Sequence, residues 1–223
     1  MGTQRNIGLS CPCVTCMAAK SRGRRLRPAM RGPEGSGAGA APSAKSSLTY
    51  SGTRADGSGL PPLHHIGMVV RDSEKTLANL SGAMGFGPAS RFEGIFPGAV
   101  LANGEKGLAL KGAFVWMRNT ALEIVEPMDD RSPHHAFLQE RGEGLHHMAY
   151  WVDSVRGEIA KMEAAGSSPR MLVDGTGPGN DVPWCYLEGD MAGSAIVELI
   201  ERNEGSEQVY AALFEAIGGK IPV

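Results

Sequence analysis

This chain repeats itself, and the repeat narrows the folds open to it. LHHIGMVVRDSE at residues 63–74 is matched by LHHMAYWVDS at 145–154, so Leu-His-His opens both segments and an apolar run follows. Each run has the length of a short strand and ends at an Asp suited to cap a helix. Helical patterns come next, SEKTLANLSGAM from Ser73 and SVRGEIAKMEAAG from Ser154, the second stopped at Gly166. A second matched strand closes each half, ALEIVEP around Glu123 and AIVELIE around Glu198. His65 and His147 stand 82 residues apart, and Glu123 and Glu198 stand 75 apart in the same order. FVWMRN (114–119) and VPWCYLE (182–188) supply further strands between them. The predicted unit is strand, helix and three strands, used twice. This is an α+β body with module one over 61–128 and module two over 143–203.

The halves differ mainly at FEGIFPGAVLANGEKGLALKG (92–112), rich in Gly and carrying Pro97. That stretch is either a mobile loop that closes over a site or a long hairpin. His134 and His135 follow Ser132-Pro133 at an expected helix start and lie outside the repeat, which predicts a structural or surface role. EGSEQVYAALFEAIGG within 204–223 spaces Val209, Leu213 and Phe214 or Ile217 as an amphipathic helix, packing on the body or on a partner such as a second copy. Trp116, Trp151 and Trp184 are expected in the core or in a pocket wall.

Charge separates the repeat from what precedes it. Residues 1–59 hold nine Lys/Arg against Glu34 and Asp56, leaving 13 basic and 22 acidic residues to the remainder. Residues 1–60, with PEGSGAGAAPSAKSS, bury too little apolar surface to offset their ordering entropy and read as a disordered leader. Arg-rich, Ser-containing and poor in acids, it has the composition of a transit peptide, which predicts a mitochondrial or plastid location; otherwise the chain is cytoplasmic. The leader lacks interleaved aromatics and a nucleic-acid-binding pattern, so no nucleic-acid partner is expected. Its CPCVTC has no histidine to complete a thiolate metal site, and Cys185 stands alone in the body. No stretch reaches the roughly 20 apolar residues of a spanning helix, so no membrane partner is expected.

Chemistry concentrates on the matched strands. Glu123 sits between Leu122 and Ile124, and Glu198 between Val197 and Leu199. A carboxylate amid an apolar strand is costly unless it is paired or bound to a cation. Strand alternation groups His65 with Gly67 and His147 with Ala149, and sends His64 and His146 to the opposite face. Two imidazoles and two carboxylates suit one catalytic divalent metal (cobalt, zinc, manganese, nickel or iron) and lack the thiolates of a structural zinc site.

With these motifs the body resembles the vicinal-oxygen-chelate (glyoxalase/bleomycin-resistance) superfamily, nearest to methylmalonyl-CoA epimerase-like proteins. LEIVEPMDDRSPHHAFLQERGEGLHHMAYWVDSV carries most of the likeness, with LHHIGMVVRD and AIVELIE at its ends, over about residues 62–202. The resemblance implies paired βαβββ modules forming a U-shaped mixed sheet around a metal cleft, with metal ligands His65, Glu123, His147 and Glu198. It also implies a small-molecule substrate such as an acyl-CoA, from which a proton α to the carbonyl is removed. The position of the epimerase base falls on Gly107; Glu105, two residues away, and Glu198 are the candidate bases. A glyoxalase-type lyase would use the same ligands. Two histidines and a carboxylate would also serve an iron-dependent ring-cleaving dioxygenase, against which a fourth ligand at Glu123 argues. A non-catalytic binding protein is the remaining reading.

Overall fold

Each half of the chain folds as the repeat predicts. The computed structural model describes residues 61–189 and 195–221. The leader, its cysteines and the final two residues lie outside the described residues. Module one runs β1 (Leu63–Val69), α1 (Ser73–Met84), β2 (Ala89–Leu101), β3 (Lys106–Trp116) and β4 (Ala121–Pro127). Helix α2 (Pro133–Arg141) links it to β5 (Gly144–Val152), α3 (Val155–Ala164), β6 (Arg170–Asp174), β7 (Trp184–Glu188) and β8 (Ile196–Glu201). Helix α4 (Glu204–Glu215) follows. Among the described residues no helix is long and apolar enough to cross a membrane.

Local chemistry starts and stops the helices. The Asp72 side chain accepts from Lys75 N at the start of α1, and Gly85 ends that helix in the left-handed region. The repeat places Ser154, not the preceding Asp153, at the same position of module two, where its side chain accepts from Gly157 N. Ser132 caps α2 with Pro133 in the first turn, and Asn203 and Ser206 form a reciprocal capping box on α4.

The strands form one closed mixed sheet in the order β1-β4-β3-β2-β6-β7-β8-β5, with β5 returning to β1. Within each module the first strand pairs in parallel with the last, β1 with β4 and β5 with β8. The modules meet through the antiparallel β1–β5 pair, and the open end of the U is closed by a short β2–β6 pairing at Val100–Asp174 and Leu101–Val173. Residues 92–112 form the long β2–β3 hairpin rather than a loop, with a register shift between Phe96 and Val100 around Pro97. Proline cannot donate to the ladder, so a bulge there is the expected accommodation.

Helices α1 and α3 cover matched outer faces of the sheet. Leu77 packs against Val70, Val115, Leu122 and Ile124, while Val155 packs against Cys185, Leu187, Val197 and Leu199. Full burial of one such side chain contributes about 1.5–3 kcal/mol. Phe214 and Ile217, at and just beyond the end of α4, join Phe114 and Ala121, so this helix packs on its own barrel. Burial pushes the lone Cys185 thiol up to about 12, which keeps it an inert core residue.

The β1–β5 junction departs from simple alternation. Leu63 pairs with Tyr150 and His65 with Ala149, so His64 is an extra residue on β1. Gly67 pairs with His147 and Met68 with Leu145, so His146 is the extra residue on β5. The two bulges are related by the sequence repeat. They correct the expectation that His64 and His146 point away from the ligand face, because a bulge re-aims the side chain it carries. Both residues are fully buried.

Candidate metal centre

Four strands bring His65, Glu123, His147 and Glu198 to one point. Parallel pairing sets Glu123 beside Gly67 and Glu198 beside Ala149, in each case two residues past the module's histidine. His65 Nε2 lies 3.1 Å from His147 Nε2. Glu123 Oε2 is 3.3 Å from His65 Nε2 and 3.1 Å from His147 Nε2. Glu198 Oε2 is 3.1 Å from His65 Nε2 and 3.3 Å from His147 Nε2. All four residues belong to a single group of potential ligand atoms within 4.8 Å of one another.

The close approach depends on one glycine. A Cβ on Gly67 would lie 1.9 Å from His147 Cε1, so only the missing side chain lets that ring lie across β1.

These contacts fit a cation better than a set of hydrogen bonds. Both Oε2 atoms are buried, yet neither has a well-aligned hydrogen bond. Neighbouring donors on a six-coordinate ion at about 2.0–2.3 Å stand roughly 2.8–3.3 Å apart, which the five nitrogen–nitrogen and nitrogen–oxygen separations match. Electrostatics agree. Burial disfavours a charged His65, but the Glu198 and Glu123 carboxylates outweigh it and raise its pKa to about 9. Burial likewise opposes ionisation of Glu123, but the His147 and His65 imidazoles hold it well below the usual carboxylate range. The group is built to hold positive charge.

A second layer of histidines surrounds this group. His64 Nδ1 lies 2.8 Å from His65 Nδ1, and His146 Nδ1 lies 2.9 Å from His147 Nδ1. The His64 ring stacks on Trp151 and meets Tyr210 edge-on, while His146 stacks on His134. His134, expected to be structural or at the surface, is fully buried, and its Nε2 lies 3.3 Å from the Tyr186 hydroxyl. Burial, then the charge of His147, drives the His134 pKa down to about 3. The Ser132-Pro133 signal located the start of α2 but not the face on which His134 falls.

A cavity of about 590 Å³ opens beside the two glutamates. Phe92, Phe114, Trp184, Tyr186 and Tyr210 form much of its wall, the last from α4, and no Lys or Arg is among its described lining residues. Burial, then the charges of Glu198 and Glu123, raises the Tyr186 and Tyr210 hydroxyls well above the ordinary tyrosine value, so both remain protonated. Glu105 is not brought to this site. It sits at the start of the β3 side of the hairpin, half exposed, 3.7 Å from Arg131, and does not line the cavity.

The model of the glyoxalase/bleomycin resistance protein/dioxygenase superfamily matches residues 64–186. The chain belongs to this superfamily. Among curated relatives, the uncharacterized protein YqjC of Bacillus subtilis is 45% identical over 62 residues, which span 28% of this chain and 42% of that protein. The match therefore covers less than half of that relative's length. Among solved structures, a hypothetical protein from Bacillus halodurans is 24% identical with a TM-score of 0.46, covering 64% of this chain and 94% of the other. The methylmalonyl-CoA epimerase of Mycobacterium tuberculosis is 19% identical with a TM-score of 0.46, covering 64% and 88%.

Proposed function

We propose that the protein is a divalent-metal-dependent isomerase that moves a proton from the carbon α to a carbonyl. The observation that carries this reading is the convergence of two imidazoles and two carboxylates, 3.1–3.3 Å apart, beside an apolar cavity. His65, Glu123, His147 and Glu198 would hold the ion. When bound, it would polarise the substrate carbonyl and stabilise negative charge developing on that oxygen. The remaining positions of a six-coordinate ion would be open to substrate or water oxygens.

The proton transfer falls to a carboxylate in this reading. Among the described residues lining the cavity, Glu123 and Glu198 are the carboxylates, so one of them is the base, with Glu198 the candidate already marked by the sequence. The C–H electron pair becomes the enolate π bond as the proton passes to the carboxylate oxygen. Return to the opposite face of the same carbon inverts it, which is epimerisation. Where the α carbon also bears a hydroxyl, as in a hemithioacetal, return to the former carbonyl carbon, with the hydroxyl proton passing to the former carbonyl oxygen, is the glyoxalase-type outcome, and a base drawn from the ligand set serves either. The aromatic wall excludes water from the carbanion. The wall is largely aromatic and carries no Lys or Arg among the described residues, which suits an apolar acyl portion, with any anionic oxygen turned toward the cation. An acyl thioester of this kind is the substrate class implied by the epimerase-like motifs.

The test combines elemental analysis of the purified protein with deuterium exchange on a panel of acyl-CoA thioesters and hemithioacetals. One divalent ion per chain, with metal-dependent incorporation of solvent deuterium at the α carbon that Glu198→Gln abolishes, is expected. Metal-replete protein that exchanges no α proton on any panel member would overturn the reading.

A further inference from the structure

We propose that His64 and His146 are positioning residues, each accepting the Nδ1–H of the neighbouring histidine and thereby presenting that histidine's Nε2 lone pair to the cation. This rests on the metal-centre reading above. If Nε2 of His65 ligates, its single proton must sit on Nδ1, and that atom faces His64 Nδ1 at 2.8 Å. A separation this short holds one hydrogen, so His64 Nδ1 is the acceptor and its own proton lies on Nε2. The same reasoning applies to His147 and His146 at 2.9 Å. Ligating histidines generally donate their second N–H to such a partner, which fixes tautomer and ring orientation.

Three further observations support the assignment. Each donor–acceptor pair is made of adjacent residues, a contact that strand alternation forbids and that the bulges at His64 and His146 permit. The device occurs twice, at matched positions of the two modules, as the ligands do. The outer Nε2 of His64 is buried without a hydrogen-bond partner among the described groups, an arrangement that costs stability and that packing alone does not explain. The rings are nonetheless locked, His64 between Trp151 and Tyr210 and His146 between His134 and Phe137.

The experiment measures zinc affinity of the apo protein by chelator competition for His64→Phe, His146→Phe, His64→Asn and His146→Asn. Phenylalanine keeps the aromatic packing and removes the acceptor; the asparagine amide oxygen reaches the place of Nδ1. The Phe variants should bind zinc about 10–100-fold more weakly, and the Asn variants should recover most of that loss. In zinc-loaded wild type, nitrogen NMR should find His65 and His147 protonated at Nδ1, with scalar coupling across to His64 and His146. This measurement stands even if a Phe variant fails to fold. Phe variants that bind as tightly as wild type, Asn variants no better than Phe, or absent coupling would overturn the positioning role alone. If wild type takes up no zinc, or His147→Ala binds it equally well, the metal-centre reading fails as well.

Discussion

At the scale of single residues, the site depends on what is missing as much as on what is present. Gly67→Ala adds a methyl group where the His147 imidazole now lies 1.9–2.3 Å from the built Cβ position. The ring must move, so metal affinity should fall by at least the roughly 10–100-fold cost of disturbing a ligand's orientation, as read by chelator competition. His147→Ala removes a candidate ligand and should cost more, leaving little metal in the purified protein while the far-ultraviolet circular dichroism stays native. The histidine doublets were legible in the sequence as ligand candidates, with His65 and His147 singled out from their neighbours. The roles of His64 and His146 were not, because alternation assumes an unbroken ladder and a bulge is a property of two strands together. Glu105 illustrates the converse. Proximity in sequence to the expected base position suggested a role, but the hairpin carries its carboxylate out to Arg131.

At the scale of elements, the two modules share a joint that extends the repeat. Three residues beyond each cluster glutamate stands a second one. Glu126 accepts from Ser73 N at 2.9 Å and from Ser73 Oγ at 2.8 Å, and Glu201 accepts from Val155 N at 2.9 Å. Each ties the last strand of its module to the first turn of that module's helix, where a carboxylate complements the unpaired N–H groups. Burial raises the Glu126 pKa, but the Ser73 bonds and then Lys111 outweigh it, so the folded value lies below 4.5. Its contribution is therefore complete above about pH 4.5 and is lost as pH falls through the folded value. Glu126→Gln should be less stable by about 1 kcal/mol near neutrality, and the difference should shrink as the pH is taken below about 4.5 in urea titrations. An unchanged difference across that range would show that the carboxylate charge is not what matters. Leu77→Ala, at the buried contact of α1 with the sheet, should cost about 2–5 kcal/mol in the same measurement without altering metal affinity.

At the scale of the whole molecule, the cluster is a clasp between modules. Module one supplies His65 and Glu123, and module two supplies His147 and Glu198, across the β1–β5 junction. A cation bound there stabilises only the joined state. At free metal about 100 times the dissociation constant, stability should rise by about 2.7 kcal/mol, visible as a higher melting temperature that a chelator reverses. Glu123→Gln and Glu198→Gln should blunt that gain; an equal gain in both variants would place the ion elsewhere.

The modules and their order were legible in the sequence, because an amphipathic period, a cap and a repeated His and Glu position are all local signals. It also marked Glu123 and Glu198, since a carboxylate between aliphatic residues violates the pattern of its own strand. The assembled structure closes the U through β2 and β6, forms residues 92–112 into a hairpin, and packs α4 on its own barrel, where it walls the cavity. It alone gathered His64, His134 and His146 around the candidate ligands. The physical reason is common to all of these: bulges, register and ring packing arise from the meeting of segments far apart in the chain, and no single segment carries them.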